Sequence, residues 1–255
     1  MGHPPGAPFF QMMGAVFSMF ASNNESIAIA VNFLSVVSSA FVILFLFWST
    51  TLFLKKISKK NNFTNDTNIL LSSSIGALAF TFSDSFWFNA VETEVYALAM
   101  LFLSATFWCG LRWEKDFNNK RGDKWLLLIC FLIGLSFGVH FMAILTIPAI
   151  GMIYFFKKYE KITIKNFVLA NIISVSILLF IFKLLLPSTL SLFGQLEVFF
   201  VNSIGLPFNS GTIIAAFLIV FFFYKSLSYT RLNGMVQANT LISVSYTHLT
   251  LPTTL

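Results

Sequence analysis

The chain has 255 residues, of which 57% are hydrophobic and 10% charged, with a formal net charge of +6. A soluble domain would carry about a quarter charged residues, and 33 phenylalanines are more than a water-facing surface tolerates. Long unbroken apolar runs predict an all-α, polytopic integral membrane protein and exclude a soluble enzyme and a β-barrel.

In chain order, the first element is the turn "GHPPGAP". Pro4 and Pro5 each hold φ near −65° and bias the preceding residue toward extended geometry. Gly6 then lets the chain turn into a short interfacial or re-entrant helix over 7–20. Its free N–H groups, with His3, suit a phosphate; a rigid turn that only starts the helix is the alternative. Transmembrane helices are predicted over 28–54, 69–88, 93–111, 125–139, 141–156, 166–186 and 211–226, about seven crossings. The apolar run 125–156 is too long for one untilted span at about 1.5 Å per residue, so it is divided near "SFGVHF". The stretch "SLFGQLEVFFVNSIGLPFNSG" is read as a loop. Residues 1–243 make one transmembrane domain. The tail "VSYTHLTLPTTL" breaks the hydropathy pattern and resembles translated adapter sequence, so 244–255, with His248, are set apart from the fold.

Charge supplies the topology. Thirteen of sixteen Lys and Arg fall in three short loops, Lys55–Lys60, Arg112–Lys124 and Lys157–Lys165. Loops of this kind stay cytoplasmic, where contact with anionic lipid is expected. The remaining loops carry Glu25, Asp84, Glu92, Glu94 and Glu197 and no Lys or Arg. Most groups able to move a proton or hold an ion are therefore expected on the outer face, and ionisable groups near hydrocarbon usually serve a function.

"SDSFWFNAVETEVYAL" is the richest stretch. Asp84 between two serines reads as a cap or as a site acid. Trp87 fits an aromatic belt or a wall for a sugar ring or prenyl chain. Glu92 and Glu94, read as opening the helix over 93–111, would point about 200° apart, so one faces the site, and Glu94 is chosen. Tyr96, four residues after Glu92, would share its face. In "GLSFGVH", Gly134 and Gly138 permit close helix approach. His140 beyond them reads as a structural hydrogen-bonding group or a substrate contact. Lys183 either snorkels to headgroups or pairs with a lipid-linked phosphate. The sequons at Asn62 and Asn65 lie in a basic loop and are discounted. Cys109 and Cys130 read as packing residues. There is no zinc-ligand spacing, Walker loop, dinucleotide fingerprint or nucleophile elbow, and the basic loops do not indicate nucleic acid.

Four blocks in order, "GHPPGAPFFQM", "VNFLSVVSSAFVILFLFW", "SDSFWFNAVETEVYAL" and "GLSFGVHFMAILTIPAI", resemble the family catalogued as domain of unknown function 2723. That family includes transmembrane protein O-mannosyltransferase-like members. The likeness covers residues 2 to 157; beyond 166 only hydropathy agrees. It implies a glycosyltransferase of GT-C type, using a polyprenyl-phosphate-linked sugar such as mannose as donor and a protein or glycan hydroxyl as acceptor. No tightly bound cofactor is implied, and a metal requirement stays open. On this likeness His3, Pro4, Pro5, Gly6, Trp87, Tyr96 and His140 are candidate substrate contacts, joined by Lys183 as the only cation expected in the outer half, and Glu94, Asp84 and Glu92 are candidate catalytic acids.

In related mannosyltransferases an acid precedes the His-Pro-Pro stretch. The chain is therefore expected to be an internal piece of a longer bacterial inner-membrane enzyme, inactive in isolation. A noncatalytic membrane subunit and a transporter or lipid-handling protein are the alternatives. Helix midsections almost free of charge, and no internal repeat, argue against a transporter.

Overall fold

A computed structural model describes residues 7–61, 65–119, 122, 124–159 and 161–233. His3, Pro4, Pro5, Gly6 and the tail 244–255 lie outside the described residues. Two compact units divide the chain, one running to Lys157 and one from Lys158.

In the first unit, α1 (Pro8–Ser18) begins with Pro8 in its opening turn, where a missing N–H costs nothing. A single 3-10 turn (Asn24–Ser26), closed by a reciprocal cap between Asn23 and Ser26, leads into α2 (Ile27–Asn61). At 35 residues, α2 is about 50 Å long, so its lysine-bearing end projects beyond a hydrocarbon layer of about 30 Å. The next helix, α3 (Asp66–Thr81), is capped by Asn65, whose Oδ1 accepts from the Thr67 N–H at 3.0 Å. After an extended Ser83 the chain bends by 67° into α4 (Asp84–Val91). The central helix is α5 (Val95–Lys115), 21 residues and about 31 Å, which packs against α2, α6 (Lys124–Phe137) and the 3-10 turn Phe141–Thr146. The unit closes with α7 (Ile147–Lys158).

In the second unit, α8 (Ile164–Phe180) is capped by Thr163 Oγ1, which accepts from the Asn166 N–H. It continues through a π-helical turn, Ile181–Leu185, into α9 (Leu186–Val198). Pro187 has no N–H to donate back along the helix, and the wider turn just before it accommodates that gap. A second π turn, Phe199–Ser203, and a short reversal lead to α10 (Ser210–Leu232). Glu197 fastens the reversal: its carboxylate accepts from the backbone N–H of Asn209 at 2.6 Å and of Thr212 at 2.8 Å. The helices meet so closely at Gly211 that a Cβ there would lie 2.3 Å from Glu197 Cα.

The chain is thus an all-α polytopic membrane protein. Among the described residues five helices are long and apolar enough to cross a membrane, or six when α3 and α4 count as one bent span. That is fewer than the seven crossings expected from hydropathy. The difference lies at α6, whose 14 residues reach only about 21 Å. The stretch read as a loop before 211 is also largely helical, because the apolar run from Ile164 continues in helix to Ser203.

Candidate functional site

The candidate site is the end of the first unit where α5 begins and α6 breaks. Gly138 ends α6 and receives the start of α1. Its carbonyl accepts from the Phe9 N–H at 2.8 Å and the Phe10 N–H at 3.3 Å. A Cβ on Gly138 would stand 2.7 Å from the Phe9 Cβ, so only glycine admits this approach. Phe9 then packs edge-on against Phe102 at 6.0 Å, over a core of Leu98, Ala99, Val139 and Ala143. This places the first turn of α1, and with it the chain that follows "GHPPG", against the α5–α6 corner.

His140 sits at the break in extended geometry, its own N–H donating to the Ser136 carbonyl at 2.7 Å. The imidazole lies 5.7 Å from the Tyr96 ring and 6.3 Å from that of Phe141. Its Nδ1 is buried and has no hydrogen-bond partner among the described residues. A buried polar atom without a partner costs free energy unless a ligand or water meets it. His140 and Tyr96, about 44 residues apart in sequence, are therefore brought together as one polar patch.

The acids lie differently from the helical arrangement expected. Glu92 ends α4 and Glu94 precedes α5, both extended, and the Glu94 N–H donates to the Glu92 carbonyl at 2.9 Å. Neither belongs to α5, so the 200° separation and the shared face of Glu92 with Tyr96 do not apply. The reason is local: Val95 starts the buried face of α5 against the core, and the two glutamates form the corner before it. Thr93 between them donates its hydroxyl to Asn32 Oδ1 on α2, which anchors the corner. Asn32 and Thr93 were not singled out from sequence, where a Thr between two acids and an Asn in an apolar run carry no pairing signal.

Asp84 opens α4 and is separated from Glu92 by the length of that eight-residue helix, about 12 Å. The carboxylates of Asp84, Glu92 and Glu94 make no hydrogen bond or ion pair among the described residues. Trp87 is exposed and stacks on Phe82 at 6.3 Å with rings 13° apart. Lys183 belongs to the second unit, exposed within the π turn Ile181–Leu185. No group of three or more His, Cys, Asp or Glu suited to a metal occurs among the described residues.

Comparison with known proteins identifies the first unit. The Protein O-mannosyl-transferase TMEM260 N-terminal domain family matches residues 1–163. The Protein O-mannosyl-transferase tmem260 of Dictyostelium discoideum is 24% identical over 198 residues, which cover 71% of this chain and 22% of that protein. The chain thus spans about a fifth of the length of this curated relative. No solved structure matches it. By the extent of the family match, the chain belongs to the family of the protein O-mannosyl-transferase TMEM260 N-terminal domain.

Proposed function

We propose that this chain is part of a membrane glycosyltransferase of GT-C type, moving mannose or a similar sugar from a polyprenyl-phosphate carrier to a hydroxyl of a protein or glycan. The observation that carries the reading, beside the family, is the free acid corner. Asp84, Glu92 and Glu94 are unpartnered among the described residues, and Glu94 leads into α5 two residues before Tyr96, whose ring meets His140, on the end of α5 away from the basic loops. By the positive-inside rule that end faces outward.

In such a transfer the acceptor oxygen bonds to the anomeric carbon as the bond from that carbon to the carrier phosphate breaks. The acceptor proton passes to a carboxylate, and the phosphate leaves with the bonding electrons. Glu94 is the described acid assigned to orient the acceptor or take this proton, because it directly precedes α5 and lies two residues from Tyr96. His140 offers its free Nδ1 to a sugar or acceptor hydroxyl, and Trp87 offers an aromatic face. His3 is assigned to the leaving phosphate, whose developing charge such a donor stabilises; the first turn of α1 is not, because Pro8 has no N–H and those of Phe9, Phe10 and Gln11 donate to the carbonyls of Gly138 and Ala7.

The test is mannosyl transfer from polyprenyl-phosphate mannose to a serine- and threonine-bearing peptide, in membranes containing the complete protein that includes this chain. Wild type is expected to transfer and Glu94→Gln to lose about 10²–10⁴-fold in kcat, the range for a positioned acid or base. Equal rates would remove Glu94 from the mechanism. Absence of transfer by wild type, with the protein folded and donor supplied, would favour a noncatalytic subunit.

A further inference from the structure

The opposite end of α5 holds a second polar feature that the transferase reading does not use. Arg112, in the last turn of α5, stands between two indoles. Its guanidinium carbon is 5.8 Å from the Trp108 ring centre and 5.1 Å from that of Trp125, and the two indoles meet edge-on at 5.6 Å. Trp48 of α2 packs on Trp108 at 5.2 Å, so α2, α5 and α6 all contribute to this aromatic cluster. Lys124 brings a second cation to the same indole, 5.2 Å from the Trp125 ring centre.

Among the described residues these two cations pair with no acid. Arg112 Nε is buried with no hydrogen-bond partner among the described residues. Asp116, one turn along on the same helix, accepts instead from Trp125 Nε1 at 2.8 Å, and Glu114 pairs with Lys56. A guanidinium held by flanking aromatics, with its Nε donor unmatched, is preorganised for the paired oxygens of a phosphate. The surface beside it is apolar: Trp48, Leu128 and Phe131 are each more than a third exposed. Cation, indole and exposed apolar groups together match a phospholipid at the level of its headgroup.

We propose that Arg112, Lys124, Trp108 and Trp125 form a binding site for the phosphate of an anionic phospholipid headgroup. The site is independent of the transferase reading and lies at the basic end of the first unit. Free inorganic phosphate is the other source of the same chemistry.

The experiment follows tryptophan emission of the purified 255-residue chain in neutral detergent micelles. Four of its five tryptophans, Trp48, Trp108, Trp113 and Trp125, lie at this end. Phosphatidylglycerol, phosphatidylcholine and inorganic phosphate are titrated separately. The expected result is a saturable change with phosphatidylglycerol, at least tenfold weaker with phosphatidylcholine, and at least tenfold weaker again in Arg112→Gln. Arg112→Lys, which keeps the charge but not the fork, should fall between. A saturable response to inorganic phosphate at the same concentrations would support the phosphate site and make the free anion its source. Equal responses to phosphatidylglycerol and phosphatidylcholine in wild type would overturn the proposal, whether or not Arg112→Gln folds. So would no saturable response to any of the three, or an Arg112→Gln protein that binds like wild type.

Discussion

The two ends of α5 treat their charges in opposite ways. At the basic end every described acid has a partner: Asp66 pairs with Lys55 at 3.6 Å, Glu114 with Lys56, and Asp116 accepts from Trp125. At the other end Asp84, Glu92 and Glu94 have none among the described residues, and His140 Nδ1 is buried there without one. Groups engaged with each other hold helices in register, whereas free ones near an apolar layer are kept at a cost that a ligand can offset. The difference teaches that proximity of charged residues in sequence says little about availability. Glu114 and Asp116 stand two residues apart in sequence, as Glu92 and Glu94 do, yet only the latter pair stands open.

Substitutions can break or sharpen this contrast. The largest effect is expected where the free end is assembled. Gly138→Val would drive a side chain into Phe9 and cost about 1–3 kcal/mol or more as overpacking, detaching α1 from the corner. Thermal unfolding in detergent should show a lowered Tm, while Gly76→Ala, where a Cβ meets nothing within 4 Å, should leave Tm unchanged or raise it through helix propensity. A smaller loss belongs to the engaged end. Trp125→Phe removes the indole N–H that Asp116 accepts and should cost about 1 kcal/mol, read as a Tm shift with the transfer rate intact. Smallest is Lys56→Ala: its ion pair with Glu114 is solvent-facing on the lysine side, so the loss should stay within about 1 kcal/mol and shrink further in high salt. By contrast Glu94→Gln should leave Tm at the wild-type value, because its carboxylate holds nothing in place.

Much of the bundle was legible from hydropathy and charge, since both depend on composition over a window of about one span. The run over 28–54 lies within α2 and that over 93–111 coincides with α5 from Val95 onward, and the divide at "SFGVHF" falls on the break at Gly138 to His140. What escaped depends on direction and distant pairing. A window average cannot report the 67° bend between α3 and α4, because the apolar content continues through it. The stretch 191–211 reads as a loop carrying Glu197, but Glu197 is satisfied by N–H groups 12 and 15 residues away, a contact no local rule reveals. Likewise Glu92 and Glu94 looked helical because Val95 onward is, and the start of the buried face decided the boundary. The meeting of Tyr96 with His140 was not readable, although each residue was singled out by itself.

The claim on which this account rests is that the free acid corner and the basic end lie on opposite sides of a membrane. Labelling intact cells with a membrane-impermeant maleimide tests it directly, using Ser85→Cys on α4 and Asn118→Cys beyond α5, both exposed positions. Wild type serves as the blank, since Cys109 is buried and Cys130 lies within apolar α6. The account predicts that Ser85→Cys is labelled in intact cells and Asn118→Cys only after permeabilisation. Labelling of Asn118→Cys from outside, with Ser85→Cys protected, would contradict it.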